Sequence, residues 1–232
     1  MASGLTTDDI NRRLSAIIRN ADKLIQFLGV FPSDQLPFDA FLSSVSSPQS
    51  NSYRSICCVA NIDPASQPGT HWVAFYLDCK SLPLKLEFFD SYAQSPTSSY
   101  HFPFLSNYSR NLPFLIETSS TPLQSFSTSV CGHYCILYLY LRARFSLHYY
   151  YAHTQPLSAL QTITRKLISL GHTALSRDRS VKALVDSLSK TITHPISKFQ
   201  ISSLHSTSAL PSSLNLSTSS SSTCQICIPF AH

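Results

Sequence analysis

The run Cys131-Gly-His-Tyr-Cys-Ile-Leu-Tyr-Leu-Tyr-Leu141 constrains the fold more than any other stretch of the chain. Cys131, Tyr134, Cys135, Tyr138, Leu139 and Leu141 recur at helical spacing, and the residues between them are also largely apolar. Such a helix cannot sit on a surface with one polar face; it must be buried on most sides by other elements. The run ends at Arg142, well short of the roughly 20 apolar residues that a membrane span needs, so a membrane partner is not expected.

The elements to surround it are legible. Ile56 to Ile62, His71 to Leu77 and Leu84 to Phe89 are short apolar runs bounded by turn residues, and each reads as a buried strand; Leu112 to Glu117 reads as a fourth. Thr6 or Thr7 caps a first helix through Asp9, with Ile10, Leu14, Ile17 and Ile18 on its inner face. Phe27 to Pro32, continuing to Leu36-Pro37, reads as a packed loop. Two amphipathic helices follow the buried one. The first carries Leu157, Leu160, Ile163, Leu167 and Leu170 and stops at Gly171; the second carries Val181, Leu184, Val185, Leu188 and Ile192, with Pro195 beyond it. The expected fold class is α+β: a central mixed sheet flanked by helices in one domain over residues 1–195. Residues 196–232 read as a Ser- and Thr-rich tail too poor in apolar residues to build a core.

Composition narrows the setting. Charged residues are only 12% of the chain, against roughly 25% for an average protein. The net charge of +5 is a mild basic excess, compatible with a polyanion but not evidence for one. The start MASGLTTDDINRRL has no apolar core of a secretory signal. Seven cysteines, two of them adjacent at Cys57 and Cys58, do not form a secreted disulfide framework. The expected location is intracellular, in cytoplasm or nucleus or in a virion assembled there, and the expected state is a monomer. Cys224-x-x-Cys227 lacks a second ligand pair, so no metal site is expected.

Four residues fall in an order that chemistry gives meaning. His71 opens a strand, Asp90 follows another, Gln124 lies in a loop, and Cys131 stands where that loop becomes the buried helix. A nucleophilic thiol needs a base, the base needs a group that fixes its tautomer, and the developing oxyanion needs a donor already aimed at it. Cys131, His71, Asp90 and Gln124 supply those roles. A helix N-terminus offers free N–H groups and the positive end of the macrodipole, both of which favour a thiolate at Cys131. Gly132 is expected to leave room for a substrate backbone. Each residue alone has a blander reading: a structural His, a core Cys, a turn Asp.

The ordered set His71-Trp72, Asp90, Gln124, Cys131-Gly132 resembles the cysteine proteases that group the adenovirus maturation protease with the proteases of ubiquitin-like modifiers. The adenovirus-type pattern also has a Phe-Leu-Gly segment, as in Phe27-Leu28-Gly29, and a Cys-rich strand before the His, as in Ile56 to Asn61. Its Gln lies seven residues before the nucleophile, the spacing of Gln124 and Cys131, and a second Cys stands where Cys135 is. The modifier proteases carry Asp at the position of Asp90, often followed by Ser as here. The likeness spans roughly residues 5–145. It implies a papain-like arrangement, His71 as base, Asp90 as its orienting group, Cys131 as nucleophile, Gln124 as oxyanion donor, and Trp72 packed beside the imidazole.

The resemblance further implies a viral or virus-derived maturation endopeptidase whose substrate is a protein, such as a capsid component or a precursor polyprotein. DNA or an activating peptide could serve as a cofactor by the same likeness, though the chemistry needs none. Two alternatives stay open: an isopeptidase acting on a ubiquitin-like conjugate, and a non-catalytic binding module, for instance for nucleic acid, on the same fold. The basic residues Arg165, Lys166, Arg177, Arg179, Lys182, Lys190 and Lys198 are read as a solvated helical face.

Overall fold

The computed structural model describes residues 4–21, 23–37, 53–79, 84–96, 114–149 and 158–192. The tail 196–232, with Cys224 and Cys227, lies outside these residues, as do Tyr150–His153. Helix α1 (Thr7–Ala21) is followed by strands β1 (Ile25–Phe31), β2 (Ser55–Asn61), β3 (Trp72–Asp78), β4 (Leu84–Phe89) and β5 (Phe114–Thr118). Helices α2 (Cys131–Tyr149), α3 (Ala159–Ile168) and α4 (Ala174–Ile192) complete the described order.

The strands form one sheet in the order β1-β2-β3-β4-β5. The outer pairs, β1–β2 and β4–β5, are parallel, and the central pairs are antiparallel. The fold is therefore α+β with a mixed sheet. Four strands and all four helices lie where the apolar patterns place them, to within a few residues. The segment from Phe27 to Pro32, expected as a packed loop, instead belongs largely to strand β1. Gly29, at φ 130°, interrupts β1, and the register with β2 shifts between Phe27 and Val30. That irregularity, with Pro32 just beyond, masks the period-2 pattern that marks a strand.

Both faces of the sheet are buried. Cys57, Val59, Ala74, Tyr76 and Phe89 face the helices and join a core with α1, α2, α3 and α4. Ile56, Cys58, Ala60, Val73, Phe75, Leu77, Leu86 and Phe88 form a second cluster on the opposite face. Period-2 alternation thus splits β2 to β4 between two cores, which explains why those strands read as continuous apolar runs. α2 lies against the sheet with Tyr134 through Leu139 buried, Leu137 at 3% exposure and the others at 0%. Fully burying each large side chain contributes roughly 1.5–3 kcal/mol, so this helix is a principal hydrophobic anchor.

Charges also tie α2 to the sheet. Arg142, 4% exposed, donates through Nε to both Glu87 carboxylate oxygens at 3.0 and 2.9 Å, and through Nη2 to Asp78 at 3.2 Å. Its guanidinium lies 4.2 Å from the Tyr76 ring centroid. Tyr138 donates to Glu87 at 2.5 Å while its ring stacks on Phe89 at 4.3 Å. α1 is capped as its sequence indicates, with Thr6 Oγ1 accepting from Asp9 N at 3.2 Å and the Asp9 carboxylate accepting from Thr6 N at 3.3 Å.

Candidate active site

In the β3–β4 register Ala74 faces Phe89, so the start of β3 and the end of β4 lie at the same end of the sheet. His71 precedes β3 and Asp90 follows β4, and the two side chains meet. His71 Nε2 lies 2.7 Å from Asp90 Oδ1, with both residues buried. An ionised carboxylate only accepts, so Nε2 carries the proton. That leaves Nδ1 to serve the Cys131 thiol, which lies near enough to act on the ring's pKa. Cys131 is the first residue of α2 and is 7% exposed.

The environment of His71 acts in two directions. Burial is the largest influence and disfavours the charged ring; the hydrogen bonds to Asp90 and Cys131, with their charges, outweigh it and raise the pKa to about 9. The imidazole is therefore protonated at neutral pH.

Asp90 is itself fixed by its turn. Its carboxylate accepts from Tyr92 N at 2.8 Å and Gln94 N at 3.3 Å. Its backbone exchanges two hydrogen bonds with Ser119 Oγ, at 3.0 and 2.9 Å. Ala93, at φ 58°, bends this turn through the left-handed region, which non-glycine residues enter rarely and which often marks functional sites.

Gln124 lies 4% exposed in the loop between β5 and α2. Its Oε1 accepts from Ser91 Oγ at 2.8 Å, and its Nε2 donates to Thr128 O at 2.8 Å. Its backbone N and that of Leu123 both donate to Ser91 O, at 3.1 and 2.8 Å. These bonds fix the amide orientation and leave one Nε2 hydrogen without a partner among them. The structure thus joins His71 to Asp90 directly, sets Cys131 near the same ring, and ties Gln124 to Ser91, the residue after Asp90.

Two local expectations are corrected. The ring stacked on His71 is that of Tyr92, with centroids 4.7 Å apart, and Phe126, 83% exposed, stacks on Tyr92 in turn at 4.9 Å. Trp72 instead donates its indole N–H to Leu5 O at 3.1 Å and holds the segment before α1. Gly132 opens no space for a substrate. A Cβ there would lie 2.9 Å from Ile10 Cδ1 and 3.3 Å from both Leu5 Cβ and Trp72 Cδ1. This glycine lets α1 and its leading segment approach α2 closely.

Sequence reasoning missed Ser91 and Tyr92. Ser91 entered only as the Ser that often follows the Asp in the modifier proteases, and Tyr92, two positions after Asp90, carried no signal of its own. Cys135, four residues after Cys131, is fully buried and its thiol pKa is raised well above the ordinary range by desolvation, so it is a core residue. Among the described residues no group of His, Cys, Asp or Glu could hold a metal ion, and no helix is long and apolar enough to cross a membrane. Cys131 also lines a cavity of about 600 Å³ with Trp72, Ser129, Asn61, Thr70 and Leu5, within the size range of ligand sites.

No family model and no curated protein matches the chain. Solved structures resemble it at low identity. One is a de-sumoylating protease, 15% identical over 82% of each chain, with a TM-score of 0.48. Another is the ASFV pS273R protease, 17% identical over 66% of this chain and 63% of that one, with a TM-score of 0.45. ChlaDub1 from Chlamydia trachomatis is 12% identical over 83% of this chain and 95% of that one, at a TM-score of 0.47. Such likenesses assign neither activity nor substrate to this chain.

Proposed function

We propose that the chain is a cysteine endopeptidase acting through Cys131, His71 and Asp90, in the wider group that joins adenovirus-type maturation proteases with the proteases of ubiquitin-like modifiers. The supporting observation is the 2.7 Å hydrogen bond by which Asp90 holds the His71 imidazole, near the Cys131 thiol at the N-terminus of a buried helix. In the proposed reaction the sulfur acts as a thiolate beside that imidazolium.

The sulfur attacks the scissile carbonyl. The free hydrogen of Gln124 Nε2 and the Cys131 backbone N–H take the negative charge that develops on oxygen, one such donor being worth about 3 kcal/mol of barrier. His71 then protonates the leaving amine, giving a thioester. Water attacks that thioester with His71 as base, and the sulfur departs as thiolate. Tyr92 over the ring keeps bulk water from the ion pair, which strengthens it. No metal or bound cofactor enters these steps.

The substrate is a protein chain, and the finer reading is maturation cleavage of a viral or virus-derived precursor. The deciding experiment uses a peptide-based acylating probe. It is expected to label Cys131 alone in the full chain, and Cys131→Ala is expected to abolish both labelling and peptide hydrolysis. Retained hydrolysis in Cys131→Ala refutes the nucleophile. Side-by-side assays with short Gly-containing peptides and with ubiquitin-like-modifier fusions separate the endopeptidase from the isopeptidase. Repeating them with added DNA tests whether a polyanion activates the enzyme.

A further inference from the structure

We propose that Arg177 and Asp178, in the first turns of α4, are positioning residues that hold the loop carrying Gln124 in the geometry needed for oxyanion binding. The role rests on the cysteine-peptidase reading and extends its machinery to a helix beyond residue 145, outside the stretch carrying the sequence resemblance.

The two side chains grip the loop on both sides of Gln124. Arg177 donates from Nε and Nη2 to Leu123 O at 3.2 and 3.1 Å, and from Nη1 to Gly171 O at 3.3 Å. Asp178 Oδ2 accepts from Ser125 N at 3.2 Å and from Thr128 Oγ1 at 2.7 Å. The Thr128 carbonyl is the acceptor of Gln124 Nε2, so Asp178 fixes the residue that in turn fixes the donor. The other carboxylate oxygen of Asp178 accepts from Tyr134 OH at 2.9 Å. Tyr134 lies on the first turn of α2, so one carboxylate joins the loop, α4 and the helix that begins with Cys131.

Asp178 is only 3% exposed. A buried carboxylate is costly unless its lone pairs are taken, and here three donors take them. Its removal strands those donors and frees the loop between β5 and α2. Ser91 and Thr128 would then be the only side-chain and carbonyl partners restraining the Gln124 amide. Misplacing a catalytic donor by about 1 Å costs on the order of 100-fold in rate.

The test compares two reactions of Cys131 in the full chain. Acylation by a peptide ester passes through a tetrahedral oxyanion. Alkylation by iodoacetamide does not: the sulfur displaces iodide directly. In Asp178→Ala and Arg177→Ala the acylation rate is expected to fall about 10- to 100-fold with KM nearly unchanged. The alkylation rate and its pH dependence should stay within twofold of wild type. An equal fall in both reactions, or no fall in acylation, overturns the proposal.

Should Asp178→Ala fail to fold, Asp178→Asn, which keeps the shape and one acceptor, is expected to show a smaller fall of the same kind. Hydrogen exchange at the Ser125 amide supplies a readout independent of turnover. It should quicken in the Asp178 variants, and unchanged exchange also overturns the clamp. A wild-type protein that alkylates at Cys131 yet never acylates refutes the peptidase reading. Quickened exchange would then leave the clamp as a structural device without a catalytic role.

Discussion

Ser91 donates its hydroxyl hydrogen to Gln124 Oε1 over 2.8 Å, one residue after Asp90 binds His71 Nε2 at 2.7 Å. Two consecutive side chains at the end of β4 therefore hold two different parts of the candidate site: the proposed base and the proposed oxyanion donor. A change in the direction of β4 would move both together. This coupling divides the expected mutational effects by the partner that each residue serves.

Removing the donor is the larger loss. Gln124→Ala is expected to lower kcat about 100- to 1000-fold with little change in KM, as for other single oxyanion donors. Ser91→Ala removes only the bond that aims Gln124, and a fall of about tenfold is expected. Steady-state kinetics on one peptide substrate compares the two. A larger effect for Ser91→Ala than for Gln124→Ala would contradict this order.

Activity should decline as pH rises through about 9, where His71 loses its proton. Above that point neither the ion pair nor a proton for the leaving amine remains. Asp90 raises the His71 pKa through its hydrogen bond and charge, so Asp90→Asn is expected to shift this alkaline limb to lower pH. A pH profile of kcat/KM measures both. The linked stability has the same sign: a raised histidine pKa stabilises the fold below pH 6.5, and that contribution is lost as pH climbs through 9.

His133 behaves in the opposite sense. It is 3% exposed, and both ring nitrogens lack a hydrogen-bond partner. Burial, with opposing influences from Asp186 and Asp9 and reinforcing ones from Lys182 and Arg13, lowers its pKa to about 4. The unfolded chain binds this proton near pH 6.5, the folded chain only near 4. Stability is therefore expected to fall between those values by up to about 3 kcal/mol from this residue. Denaturant titrations at a series of pH values should show a flatter acid side for His133→Leu.

Glu87→Leu leaves Arg142 buried without its main counter-ion and strands the Tyr138 hydroxyl. A loss of about 3–5 kcal/mol is expected, the usual result of removing one partner of a buried pair. Replacing Glu87 and Arg142 together by apolar residues should recover part of it. Chemical denaturation of the single and double variants gives the comparison.

How much of this was legible in the sequence depended on whether a signal was local. α2 declared itself because it is apolar nearly all round, and β2, β3 and β4 because burial on both faces makes their runs continuous. His71, Asp90, Gln124 and Cys131 were named together because a thiol nucleophile calls for those residue types and because their order resembles that of a protease family. β1 was hidden by Gly29, whose irregular register breaks the alternation. Tyr92 over His71 was hidden because nothing in a sequence says which ring a turn will fold back. Arg177 was grouped with a solvated basic face, yet its partner is a carbonyl 54 positions earlier. Such long-range polar pairs leave no periodic trace.

The tether between Arg142 and Glu87 has a mechanical consequence for the far end of its helix. Arg142 stands about three full turns from Cys131, so both project from nearly the same side of the axis. Clamping one azimuth to the sheet sets the other, and a helix pinned this way can neither roll nor slide without breaking buried ionic bonds. The aim of the sulfur is thus fixed from three turns away along the rod, by charges remote from the thiol.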